Sequence, residues 1–398
     1  MQIVKLNKYL LLFNLFFLQA YLIRFKIGSY PTNLQEILIA MQVIIYFLSV
    51  HKSKKLKEFW QDIKKYRILN SFILLTLISI LLVPIFDYIT FVRHLKFLFF
   101  GGIFVFIFLE TFHKEKYIGA LKIAGYGAVF FGLFSSIYNL LGFNVTHDER
   151  LLGPMDSAVY LAYFLAPFFI LFAIEYLKNR KKSDIIFAII LLLLIFATRS
   201  MGALLGSFLI MAIYFWKKYK FSAKQNKKIL IGISSVGIIL FSVIFFTKIL
   251  PTFTTNYSSL DERGEIWLTS LHLLKDPGNL FFGLGYGQFQ YHYLQNAQEI
   301  LGQPPLDLYV LQPHNIFLLF IFQYGILGLL LIFLIIYKTI KRLDYLNNTE
   351  VFMLLYFLIH GIIDTPIFKN DLLLLFILLA EIGLTLHHNP ETKSIKTA

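Results

Sequence analysis

Three arginines and a histidine stand out, each lying in or beside a break between apolar runs. Arg263 lies in Asp261-Glu262-Arg263-Gly264-Glu265-Ile266-Trp267. A guanidinium there can meet a phosphate through two parallel hydrogen bonds, or it can pair with Glu262, Glu265 or a lipid headgroup. Arg199, in Thr198-Arg199-Ser200, separates two apolar runs, where a charge is costly unless paired or wet. It reads either as a phosphate ligand or as a snorkelling interfacial side chain. Arg150, in Asp148-Glu149-Arg150-Leu151-Leu152-Gly153-Pro154, offers the same choice, with acidic neighbours able to neutralise it. His314 follows Pro313 and opens a further apolar run. The positive end of a helix dipole favours a neutral imidazole, the form a general base requires. The plainer alternative is an interfacial histidine that caps the helix together with Asn315.

Two weaker groupings accompany these residues. His360 and Asp364 stand four apart in an apolar stretch, so a helix over Val351–Phe368 puts them on one face. They read as an interhelical hydrogen-bonded pair or as catalytic support. Gly283-Leu284-Gly285-Tyr286-Gly287 could bring backbone amides to an anion. It lies outside any strand–turn–helix unit, so it is no nucleotide fingerprint, and a plain turn is the default. The chain has no cysteine, which excludes disulfides, thiolate metal sites and cysteine nucleophiles. With no P-loop either, the sequence predicts no metal, nucleotide or other cofactor.

The elements that must position these groups are apolar helices. Hydrophobic residues make up 58% of the 398 residues and charged residues 15%, against roughly 25% charged in soluble domains. At roughly 20 apolar residues per crossing, the runs starting near Tyr9, Leu34, Ile68, Leu95, Ile118, Ser157, Ile185, Ser200, Ile229, Ile316, Val351 and Asp371 predict about twelve transmembrane helices. Residues 185–215 are split at Arg199, and the first run is a retained helix without a cleavage site. The expected fold is therefore an all-α, polytopic membrane protein, with residues 1–398 forming one transmembrane domain. The net charge of +14 gathers in alternate loops at His51–Arg67, Lys178–Lys182, Lys217–Lys228 and Lys338–Arg342. Topology explains that charge better than nucleic acid does, and it puts both termini in the cytoplasm. One large loop, 249–313 between the ninth and tenth helices, then faces outward. Within it Ile266, Trp267, Ser270, Leu271 and Leu274 predict an amphipathic surface helix carrying Arg263 and stopped at Asp276-Pro277-Gly278. No internal repeat is evident.

Taken in order, the Arg150–Pro154 loop, the Thr198–Ala203 hairpin, Arg263–Trp267, Gly283–Phe289, Pro313-His314-Asn315, Gly325–Gly328, His360–Pro366 and Lys369-Asn370-Asp371 resemble the O-antigen ligase and polymerase superfamily of membrane glycan transferases. The resemblance covers the chain from about Arg150 onward; the first five helices carry no signature. It implies an inner-membrane enzyme that moves a glycan from undecaprenyl diphosphate to an acceptor hydroxyl on the outer face. No metal or nucleotide takes part. It also implies that Arg199 and Arg263, with Arg150, hold the diphosphate and that His314 activates the acceptor. Asn315, Gly285, Tyr286, His360 and Asp364 are expected to bind substrate or support the site. The expected partners are the lipid-linked donor, a lipid, glycan or other hydroxyl acceptor, and membrane lipids, with no nucleic acid. A polymerase of lipid-linked repeat units would use the same chemistry. A flippase or transporter of lipid-linked sugars is the more distant alternative, since such proteins show related halves and broken helices at the midplane.

Overall fold

The computed structural model describes residues 2–28, 30–50, 65–113, 116–144, 149–219, 259–365 and 367–384. The run expected near Ile229, the loop residues 249–258, Pro366, the basic stretches 51–64 and 220–228 and the basic C-terminus lie outside these residues. Helix α1 (Gln2–Phe16) and a 3-10 turn (Leu18–Leu22) lead into an antiparallel hairpin, β1 (Arg24–Ile27) and β2 (Tyr30–Asn33), that pairs Arg24 with Asn33. There follow α2 (Leu34–Val50), α3 (Arg67–Leu82), α4 (Tyr88–Thr111), α5 (Tyr117–Leu140), α6 (Ala158–Asn179), α7 (Lys182–Ala197) and α8 (Met201–Tyr219). The second half holds α9 (Ser259–Leu273), α10 (Pro277–Phe282), α11 (Phe289–Leu301), α12 (Ile316–Arg342), α13 (Thr349–His360) and α14 (Asn370–Leu384). Among the described residues α4, α5, α6, α8 and α12 are long and apolar enough to cross a membrane, and α2, α3 and α13 are shorter apolar helices. The protein is an all-α membrane protein.

Helix α14 is the centre. Every one of its residues from Asp371 onward is buried, as suits a helix that is apolar on all sides. Its two ends are tied to distant parts of the chain. Gln19 Nε2 donates to Asp371 Oδ2 over 2.7 Å, and Glu381 Oε1 accepts from the Leu69 amide over 2.7 Å. Around it, Phe72, Phe320 and Phe376 meet edge to face. Many other phenylalanines, such as Phe108, Phe164 and Phe172, also fill the interior, while Phe99 and Phe130 stay exposed.

Polar side chains fasten the other helices. Gln42 Nε2 donates to Asn7 Oδ1 (2.5 Å) and Asn7 Nδ2 to Thr111 Oγ1 (3.0 Å), joining α1, α2 and α4. In an apolar surround such groups must be satisfied within the protein. At the end of α6 remote from Arg150, Lys122 meets Asp184 (2.8 Å) and Lys178 meets Glu175 (3.2 Å). Glu175 also accepts from the Thr349 hydroxyl (2.8 Å), so α5, α6, α7 and α13 share one ion cluster.

One expectation about the elements changes. The helix read over Val351–Phe368 ends at His360, and residues 361–363 form turns. Pro366 disfavours helical backbone at the residue before it, so a helix running on to Phe368 would be broken there. In α9 the buried residues are Ile266, Thr269, Ser270 and Leu273, whereas Leu271 is 59% exposed. Ile266 and Leu273 share a buried cluster with Tyr293 and Ala297 of α11, and Leu271 lies outside it.

Candidate active site

Asn315 starts the construction. Its Oδ1 accepts from the Phe317 and Leu318 amides (2.9 and 3.2 Å), the hydrogen bonds of an N-cap. Its Nδ2 donates to Ile362 O (3.0 Å), and the Ile316 amide donates to Gly361 O (2.6 Å). The start of α12 is thereby locked to the turn that follows α13. His314, just before the cap, has a φ of 49°, a conformation that costs a non-glycine residue about 1–2 kcal/mol. Trp267 Nε1 donates to Pro313 O (3.0 Å), so α9 holds the same segment from the other side.

This framework brings three predicted residues together. His314 Nδ1 lies 3.0 Å from Asp364 Oδ1, and Arg263 Nη2 lies 3.3 Å from Asp364 Oδ2. Glu265, one proposed local partner of Arg263, instead accepts from Gln303 Nε2 and the Leu306 amide. Asp364 is buried, while His314 and Arg263 keep 27% and 23% of their side chains accessible. Burial pushes the Asp364 carboxyl upward. The His314 hydrogen bond and the charges of His314, His360 and Arg263 outweigh it and hold the group down to about 2. A carboxylate facing Nδ1 fixes the imidazole tautomer with its proton on Nδ1. Nε2 then becomes the nitrogen able to take a proton.

Arg150 and Arg199 meet at a second corner. Arg150 Nε donates to Thr198 O and the Leu151 amide to Ala197 O, both over 2.9 Å. Arg150 therefore braces the hairpin that carries Arg199. Arg199 itself is exposed and has a φ of 52°, which breaks α7 from α8 where the sequence predicts a split.

His360 does not hydrogen-bond the Asp364 side chain. Its Nδ1 lies 2.7 Å from Tyr356 Oη, and its ring stacks on Tyr163 at 4.5 Å. Once α13 stops at His360, the four-residue spacing to Asp364 no longer defines a shared face. His360 instead packs on α8. A Cβ on Gly202 would lie 2.6 Å from His360 Nε2, and one on Gly206 would lie 3.2 Å from Tyr356. The Gly202-x-x-x-Gly206 spacing, which sequence reading passed over, is a small-residue stripe that lets two helices close up. It seats the Arg199 hairpin on the helix that ends beside Asp364.

Gly285 and Tyr286 are buried inside the protein. The Tyr286 amide donates to Ser79 Oγ (3.1 Å) and its hydroxyl to His94 O (3.2 Å), while the Gly287 amide donates to Gln323 Oε1 (2.7 Å). The amides of Tyr286 and Gly287 thus already have acceptors inside the protein. The loop docks where α12 is broken: Gly325 has φ 64° and ψ −154°. A Cβ on Gly283 would sit 2.7 Å from Phe322 O and 2.9 Å from the Gly325 amide.

Residues 186–333 match the family described as O-antigen ligase. That span includes Arg199, Arg263 and His314, whereas Arg150, His360 and Asp364 lie outside it. No curated relative matches the chain.

Proposed function

From the O-antigen ligase domain at residues 186–333, we propose that this membrane protein transfers a glycan from undecaprenyl diphosphate to an acceptor hydroxyl. The reaction takes place at the outer face of the inner membrane, in a bundle of about twelve spanning helices with cytoplasmic termini and an outward segment 249–313. The observation that carries the reading is the Asp364 carboxylate shared between His314 and Arg263. His314 Nε2 takes the proton as the acceptor oxygen attacks the anomeric carbon. The bond from that carbon to the diphosphate oxygen breaks, and its electron pair leaves with the diphosphate. Arg263 and Arg199 offset the charge that develops there, with Arg150 bracing the latter.

The test is purified protein in lipid with a radiolabelled lipid-linked glycan. Label appearing on an added hydroxyl acceptor supports a ligase. A ladder formed from lipid-linked repeat units alone supports a polymerase. Label crossing the bilayer without changing its covalent attachment would replace transfer with transport.

A further inference from the structure

Beside the Asp364 cluster, a second set of charges joins the N-terminal hairpin to the segment before α14. Arg24 Nη2 and Lys369 Nζ each lie 3.6 Å from one oxygen, Oδ2 of Asp156. Lys369 also sits over the Tyr160 ring, 3.3 Å from its centre. Charge-assisted hydrogen bonds normally run about 2.7–2.9 Å, so one carboxylate oxygen serves two cations and satisfies neither closely. Asp156 is 62% exposed and can swing aside, whereas Lys369 is held in place with 15% exposure. Burial pulls the Lys369 ammonium down to about 8, Asp156 and Asp371 raise it, and Arg24 lowers it again. Asp371, beneath, is engaged by Gln19, which also anchors the turn leading to Arg24. Ile23 and Phe25 flank Arg24 and are exposed, as suits headgroup depth.

We propose that Arg24 and Lys369 form a subsite for a phosphate oxyanion, with Asp156 as its internal counter-ion. A phosphate offers separate oxygens to the Arg24 fork and the Lys369 ammonium, which one carboxylate oxygen does not. The subsite needs only the anion, from a phospholipid headgroup or from a substrate, and does not depend on the transfer reading. It gives the N-terminal hairpin, outside the matched domain, a part in binding.

The test uses the full chain carrying Arg263→Ala, in phosphatidylcholine nanodiscs, titrated with inorganic diphosphate, with thermal unfolding followed alongside. Binding is expected to persist. Adding Lys369→Gln or Arg24→Gln should weaken it about tenfold or more. Adding Asp156→Asn should tighten it about two- to fivefold, because the competing carboxylate is gone. A merely structural ion cluster predicts no such gain. Phosphatidylglycerol in the disc that displaces diphosphate only when Lys369 is present identifies a lipid headgroup as the source; no displacement identifies a substrate phosphate. Binding that is unchanged in both cation variants, or weakened by Asp156→Asn, overturns the subsite. So does loss of all binding with Arg263→Ala, and that result leaves the transfer assay on the wild-type protein to stand separately.

Discussion

His314 Nδ1 faces Asp364 Oδ1 at 3.0 Å, across 50 residues of sequence. The carboxylate accepts, so Nδ1 must donate. Asp364→Asn can turn an amide toward Nδ1 and reverse the tautomer. It should lower turnover about 10²–10⁴-fold, the range of a lost general base. Turnover of labelled donor in a variant confirmed to be inserted measures this, and near wild-type turnover would remove Asp364 from the mechanism.

Arg263→Ala and His314→Ala should both abolish or nearly abolish transfer, but by different routes. Without His314 the leaving-group site remains, so lipid diphosphate should still bind while turnover falls. Without Arg263 the affinity for lipid diphosphate should fall as well. Arg263→Lys should recover only part of the activity, because an ammonium lacks the guanidinium fork. Donor binding and turnover measured on the same preparations separate the two cases. Unimpaired donor binding by Arg263→Ala would contradict the diphosphate assignment.

The sequence exposes features that local chemistry decides. Apolar runs mark the helices, a charged hairpin marks the break at Arg199, and Asn315 before an apolar run marks the start of α12. What it does not expose depends on distant partners. Asp364 is four residues from His360, yet its side chain meets residues 50 and 101 positions away. No periodicity encodes that choice; it follows from where α13 stops and from the Asn315 bonds to the turn beyond. Which side chains of α9 turn into the protein is decided in the same way. Its apolar spacing is readable, but α11 settles which of two overlapping stripes turns inward. The cluster of Arg24, Asp156 and Lys369 needs three segments at once, and the Lys369-Asn370-Asp371 motif alone does not reveal its two distant partners.

The junction of Gly283 with Gly325 gives a stability prediction. Both residues have positive φ, and Cβ atoms there would crowd backbone across the break in α12. Gly283→Ala and Gly325→Ala should each destabilise by more than about 1 kcal/mol, since strain and overlap add. Gly264 lies in α9 with nothing within 4 Å of a Cβ. Gly264→Ala should therefore be neutral or stabilising by up to about 1 kcal/mol. Thermal unfolding in one detergent compares the three, and equal losses would mean the junction is not special.

Arg199 separates stability from function most directly. Its φ of 52° suits glycine and strains any other residue. Arg199→Ala removes the guanidinium and keeps the strain. Arg199→Gly removes both, at the expense of a more flexible unfolded chain that gives back about 0.5–1 kcal/mol. Against a left-handed strain of about 1–2 kcal/mol, the glycine variant should still unfold at the higher temperature of the two. A residue kept only to shape the hairpin would then be replaceable by glycine with transfer intact. A residue kept to hold phosphate would not, and both variants should lose transfer alike. If Arg199→Gly transfers glycan at the wild-type rate, the hairpin needs only its backbone and Arg199 leaves the list of diphosphate ligands.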